Sequence, residues 1–199
     1  MMDILVRQLR HIAIPMTVCL YKKCGCNSVN FKCTRIFIYS VIYYLVKINI
    51  IDSGKNSFPI LTGAALHGEY TLDNVHFHWH SEHTIDGKRY PLEAHFVHYK
   101  MLYGSMREAI NYPDGVIVLG VMFKMADCGS EELNSVVYTT WKVNMPKTKT
   151  ELSSFDPYSI LPGDKKSYYK YSGSLTTPEC NEGVTWIVFE NPVPLSEEQ

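Results

Sequence analysis

The chain has 199 residues, 46% of them hydrophobic and 20% charged, with a formal net charge of −1. That length supports one domain with a real core, and the composition fits a soluble globular protein. The near-neutral balance excludes a general nucleic-acid binder.

The average hides an asymmetry. Residues 1–50 carry seven basic side chains against Asp3 alone, a balance of +6, and the remaining 149 residues sum to −7. A break this sharp divides the chain into a basic segment, 1–49, and a second segment, 50–199. In the first, Arg7 and Arg10 precede "HIAIPMTVCLY". This looks a little like a signal peptide but not a convincing one: Pro15 interrupts the apolar run, and Lys22 and Lys23 follow in place of small residues. "IFIYSVIYYLV" (36–46) is too short to span a bilayer and rich in β-branched and aromatic residues, so a buried strand is expected and a membrane anchor is not. Cys19, Cys24, Cys26 and Cys33 match no standard zinc-finger spacing. The chain has no N-x-S/T sequon; together with the lack of a convincing signal peptide, this favours a cytoplasmic over a secreted chain.

From residue 50 the pattern is short runs between turn signals. "IDSGKNSFPILTG" reads as loop, and "GEYTLDNVHFHWH" alternates as a strand does. Asp86-Gly87 in "TIDGKRYP" signals a hairpin, with "LEAHFVHYK" as the partner strand. "VIVLGVMFKM" is apolar throughout and is expected to be buried on both faces. "SEELNSVVYTTWKVNM" is the best helix candidate, with Ser130 as its cap. "SGSLTTPECNEG" is a turn-rich loop, and "VTWIVFENPVP" a last strand ended by prolines. The expected fold is mainly β (α+β): a central twisted, mostly antiparallel sheet with small peripheral helices.

"VHFHWHSEHT" (75–84) holds four of the eight histidines. Residues two apart in a strand share a face, so His76 and His78 point together. Glu93, His95 and Val97 share a face of the second strand. Paired, the two strands bring three imidazoles together. Three protein nitrogens and an open fourth position are how a catalytic zinc is usually held, although cobalt and copper also accept imidazole. Glu93, two residues before His95, is placed to accept that ring's other N–H, and Asn74 could do the same for His76.

"VHFHWHSEHTIDGKRYPLEAHFVHYK" and "YSGSLTTPECNEGVTWIVFENPVPLS" closely resemble the α-class carbonic anhydrases, over roughly residues 50–199. The resemblance implies that family's fold, a Zn2+ ion held by His76, His78 and His95, and Glu93 supporting the third ligand. It implies that Thr176 accepts a hydrogen bond from solvent on the metal and donates its own hydrogen to Glu82. It places Thr177 in the substrate and inhibitor region, and Val97, Val118, Leu175, Val184 and Trp186 on the apolar wall where CO2 rests. The implied reaction is reversible hydration of CO2 to bicarbonate and a proton, so the expected partners are these small molecules. A monomer is expected, with no nucleic acid and no membrane.

Several features depart from the family. Its Q-S-P-I segment and the strand carrying its histidine proton shuttle have no counterpart in residues 1–45. The chain stops at Gln199, short of the family's C-terminal strands, so a domain truncated at both ends is expected. No proton shuttle is assigned; His67 reads as a surface histidine. Between Trp79 and Ser81 stands His80 alone, where the family has a glycine and several more residues, so Glu82 could sit differently relative to Thr176. Asn74 replaces a longer glutamine. Cys180 occupies a position where many members carry a bridging cysteine, but nothing selects a partner for it. The alternative function is a non-catalytic zinc-binding or partner-binding domain of the same fold. Such relatives typically lose ligand histidines, and this chain keeps all three.

Overall fold

Alternating polar and apolar runs become a large sheet in the computed structural model, which describes residues 4–5, 16–20, 34–42, 45–52, 59–143, 148–152 and 155–199. In chain order the strands are β1 (Ile4–Leu5), β2 (Met16–Leu20), β3 (Thr34–Ile42), β4 (Leu45–Asp52), β5 (Pro59–Gly63), β6 (Tyr70–Trp79) and β7 (His83–Ile85). They continue as β8 (Lys88–Arg89), β9 (Leu92–Lys100), β10 (Val116–Met125), β11 (Lys149–Glu151), β12 (Tyr168–Ser174), β13 (Glu182–Phe189) and β14 (Val193–Leu195). The α-helices are short: α1 (Met106–Ala109) and α2 (Asn134–Thr140).

One 11-stranded sheet runs β11-β3-β4-β6-β9-β10-β13-β12, with β5 against β6, β2 against β5, and β14 against β10. It is mixed but mostly antiparallel: within it only β13 and β14 lie parallel to their neighbour β10. The expected mainly β architecture with small helices is therefore present. None of the described helices is long and apolar enough to cross a membrane.

The period of two sorts the central strands onto two faces. Val75 and Phe77 of β6, Ala94 and Phe96 of β9, Leu119 and Val121 of β10 and Ile187 of β13 join the larger apolar core. Val97, Val118, Met122, Val184, Trp186 and Val188 pack on the opposite face, which also carries the histidines. β10 is buried from Val116 to Phe123, as its composition predicts, while Lys124 and Met125 emerge at its end.

Some readings are corrected. The 36–46 run is not one strand; it divides between β3 and β4, which pair antiparallel. "IDSGKNSFPILTG" is not all loop. Its apolar end forms β5, where Ile60 and Leu61 are buried and pair with Thr71 and Tyr70; burial of that pair outweighs the turn-forming residues before it. The 130–145 helix is broken into a 3-10 turn (Glu131–Leu133), α2 and a second 3-10 turn (Trp141–Val143). Ser130 makes no cap bond; its hydroxyl donates to Glu132 Oε2 at 2.6 Å. The run Val136, Val137, Thr139, Thr140 disfavours a long helix, and both threonines turn their hydroxyls back onto carbonyls of the preceding turn. β12 takes in Ser172 to Ser174 of the supposed loop. The last strand is β14, which pairs with β10 at its edge, where Pro194 forfeits no essential donor. Cys128 and Cys180 carry free, exposed thiols; the side chains of Cys19, Cys24, Cys26 and Cys33 lie outside the described residues.

His98 points into the larger core and is fully buried. Its Nδ1–H donates to Phe96 O at 2.9 Å, and Tyr158 Oη, 2.7 Å away, donates to Nε2. Burial holds this ring's pKa down to about 3. An unfolded histidine titrates near 6.5. Stability carried by His98 is therefore fully present above pH ~6.5 and is lost as pH falls from there toward 3. Urea midpoints measured from pH 7.5 to 4.5 should fall, and His98→Gln should remove up to about 1.4 kcal/mol per pH unit of that slope.

Candidate metal centre

Two neighbouring strands build the site. β6 and β9 pair antiparallel with His76 opposite His95, His78 opposite Glu93, and Asn74 opposite Val97. Directly opposed residues share a face, so register alone brings the three rings together. Their centroids lie 5.0 Å (His76–His78), 5.2 Å (His76–His95) and 4.5 Å (His78–His95) apart. One nitrogen from each ring falls within 4.8 Å of the other two.

Hydrogen bonds identify those nitrogens for His76 and His95. His76 Nδ1 lies 2.9 Å from Asn74 Oδ1, so Nε2 keeps its lone pair for the cluster. The Asn74 amide is itself oriented, donating to Asp73 Oδ2 at 2.8 Å. His95 reaches Glu93 Oε1 through Nε2 at 2.7 Å, leaving Nδ1. His78 Nε2 is buried with no hydrogen-bond partner among the described residues. A buried polar atom without a partner is costly in a native fold, and beside two other free imidazole nitrogens it fits a cation. Desolvation, then the neighbouring His95, holds the pKa of His76 down to about 2 and that of His78 to about 4. Both rings are neutral at physiological pH, the state that donates to a metal. The residues fit Zn2+: three imidazoles on a rigid sheet, each able to give one lone pair.

Glu93 is the hub behind the rings. It is fully buried. Oε1 accepts from His95 and from His83 Nδ1 at 2.6 Å, and Oε2 from the backbone N–H groups of Glu82 and His83. Burial alone would raise its pKa, but the charge of His95 and hydrogen bonds from His83 and His95 outweigh it and hold the carboxyl well below its usual range. His83 passes the chain on: its Nε2 meets Tyr171 Oη at 2.6 Å, and Tyr171 stacks on Trp186. His83, Glu93 and His95 also come within metal-binding distance of one another. Their facing atoms, however, are already spent on those bonds.

The hub needs an empty place beside it. Gly120 sits opposite His95 on one side and Val188 on the other. A Cβ at 120 would stand 3.2 Å from Glu93 Oε1 and 3.3 Å from Val188 Cγ2. Glu93 cannot yield without stretching bonds that fix His95. Gly120→Ala should therefore weaken zinc binding about ten-fold in chelator competition, with partial recovery when Val188→Ala makes room.

Beside the histidines lies a cavity of about 220 Å³, lined by His76 and His95 together with Asn74, Val97, Val118, Leu175, Thr176, Thr177 and Trp186. Val184 is buried in the apolar cluster behind this wall and is not part of the lining. Three residues with no signal in the sequence also reach the cavity: Lys47, opposite His76 on β4, Asp73 of β6, and Met106 of α1. His83 was visible in the S-E-H-T motif without a role. Tyr171 had no signal, being 88 residues from its partner. His67 is exposed and lies away from the lining.

Glu82 departs from its expected place. It makes no hydrogen bond to Thr176: Oε2 is buried without a partner, and Oε1 lies 3.5 Å from His78 Nδ1. The reason is the short connection after β6. His80 N, Ser81 N and Glu82 N are tied to Pro91 O, Tyr90 O and Glu93 Oε2, which carries Glu82 in over the histidines.

The chain resembles known proteins along most of its length. It is 38% identical over 161 residues to carbonic anhydrase 7 of Homo sapiens, covering 77% of this chain and 60% of that protein. The figures are the same for carbonic anhydrase 7 of Mus musculus. Against carbonic anhydrase 6 of Bos taurus the identity is 40% over 140 residues, 66% of this chain and 44% of that one. The chain thus spans about half to three-fifths of the length of these relatives. The family model for eukaryotic-type carbonic anhydrase matches residues 44–199, and with that match, over the strands that carry the three rings, the chain belongs to the eukaryotic-type carbonic anhydrase family.

Proposed function

We propose that the protein binds Zn2+ through His76, His78 and His95 and catalyses reversible hydration of CO2 to bicarbonate. The observation that carries this reading is the convergence of three imidazoles, two of them held neutral by burial and one with a buried unpartnered Nε2, beside a cavity whose wall is mostly apolar. Family membership supports CO2 hydration in general.

When bound, zinc lowers the pKa of its solvent ligand to about 7, making hydroxide available at neutral pH. The chain supplies the geometry. Asn74 holds His76, and Glu93, backed by His83 and Tyr171, holds His95. Val97, Val118, Leu175 and Trp186 give an uncharged linear molecule a surface from which water is excluded. Val184 backs that wall. Trp186 is fixed in it by donating from Nε1 to Ser174 O at 3.0 Å. Thr176 and Thr177 line the same space, and each hydroxyl can donate and accept a hydrogen bond where the negative charge of the product would develop.

The test is purified protein assayed for zinc content and for CO2 hydration by oxygen-isotope exchange. About one zinc per chain with hydration above the buffer rate is expected. Full zinc with no hydration would transfer the reading to a zinc-binding domain without turnover, and no zinc uptake would end it.

A further inference from the structure

Each ligand ring needs something on its outer nitrogen. A group there fixes the tautomer, aims the lone pair and raises ligand basicity. For His76 that group is Asn74 and for His95 it is Glu93. Among the described residues, no hydrogen-bond partner sits on His78 Nδ1, and the group facing it is the Glu82 carboxylate, with Oε1 at 3.5 Å. The other oxygen, Oε2, is buried without a partner and stands 3.9 Å from His95 Nδ1.

The placement of Glu82 is enforced by the backbone. His80 adopts a left-handed conformation, φ 57°, which reverses the chain immediately after Trp79. Ser81 is clamped: its hydroxyl donates to His83 O at 2.6 Å and accepts from Tyr90 N at 2.9 Å, while Arg89 binds its carbonyl. Glu82 N then donates to Glu93 Oε2 at 2.8 Å. One carboxylate, Glu93, thereby supports His95 directly and anchors the backbone that presents the second.

We infer that Glu82 is the positioning residue for His78, with its carboxylate set against Nδ1–H so that Nε2, the buried unpartnered nitrogen, is turned to the metal. It is not, in this chain, the partner of Thr176. The inference rests on the metal-centre reading above and changes the task of one of its residues: Glu82 acts through a ligand, so its removal is felt first in metal affinity.

Zinc affinity measured by chelator competition tests this, together with CO2 hydration of the fully loaded proteins. Glu82→Ala should weaken zinc binding about ten-fold or more, and Glu82→Gln, which keeps an acceptor oxygen and the side-chain volume, should lose less. Thr176→Val should leave zinc affinity unchanged. In the loaded enzymes, the activity losses of Glu82→Ala and Thr176→Val should multiply in the double variant. Wild-type zinc affinity in Glu82→Ala, or a double variant no slower than Thr176→Val alone, overturns the inference while leaving the metal centre standing. Wild-type protein that takes up no zinc removes both. If Glu82→Ala does not fold, Glu82→Gln carries the test by the same affinity reading.

Discussion

His95→Ala should abolish both zinc uptake and CO2 hydration. The ring is buried, its Nε2 is held by Glu93, and its Nδ1 faces His76 and His78. Removing it leaves two imidazoles, fewer than the three protein ligands a catalytic zinc ordinarily has. The space left by the ring lies against Trp186, whose centroid is 4.8 Å away, and against His83 at 6.0 Å, whose Nδ1 and Nε2 are engaged by Glu93 and Tyr171. Metal content per chain should fall close to zero after dialysis, and hydration to the buffer rate. A His95→Ala protein that still hydrates CO2 at the wild-type rate would remove the proposed centre altogether.

Glu93→Ala should damage both stability and metal binding. The carboxylate accepts four hydrogen bonds in a fully buried place. Its loss leaves His83 Nδ1, His95 Nε2 and the two backbone N–H groups of residues 82 and 83 without an acceptor. An uncompensated buried polar group costs about 1–3 kcal/mol. Even with partial relaxation, the expected destabilisation is about 3–5 kcal/mol, read as a lower urea midpoint. In protein that still folds, zinc affinity should fall about 10- to 100-fold, since His95 is no longer held in one tautomer and orientation. Glu93→Gln retains one acceptor oxygen and should lose less of both. Unchanged zinc affinity in folded Glu93→Ala would show that the register of β9 alone aims His95.

How legible these features were in the sequence depends on their range along the chain. The Asp86-Gly87 turn is present, with φ 51° and 75° at the two residues, because that dipeptide tolerates positive φ where other pairs do not; it joins β7 to β8, however, and not the histidine strand β6 to its partner β9. The ends of β9 fall where the run "LEAHFVHYK" begins and ends. The common face of His76, His78 and His95 follows from a period of two and the antiparallel pairing of β6 with β9. Legibility fails where pairing is distant or direction matters. Nothing local to Lys47 says that β4 will set it opposite His76. Nothing near Tyr171 points to His83. The missing residues around His80 were evident, yet length alone does not tell which way a side chain leaves a shortened turn, and Glu82 went to the histidines instead of Thr176. Gly120 looked like any glycine in an apolar run until the hub beside it was in place.

The three donors sit in the middle of adjacent strands, with two of the rings tied from behind before any ion arrives. An incoming cation therefore meets a finished mould and orders almost nothing on entry. Because the unfolded chain offers no such mould, whatever affinity the mould has for zinc is added to the free energy of folding. On the proposed zinc reading, the metal supply around the protein would be a thermodynamic partner of its fold, and scarcity should lower the melting temperature without altering the shape.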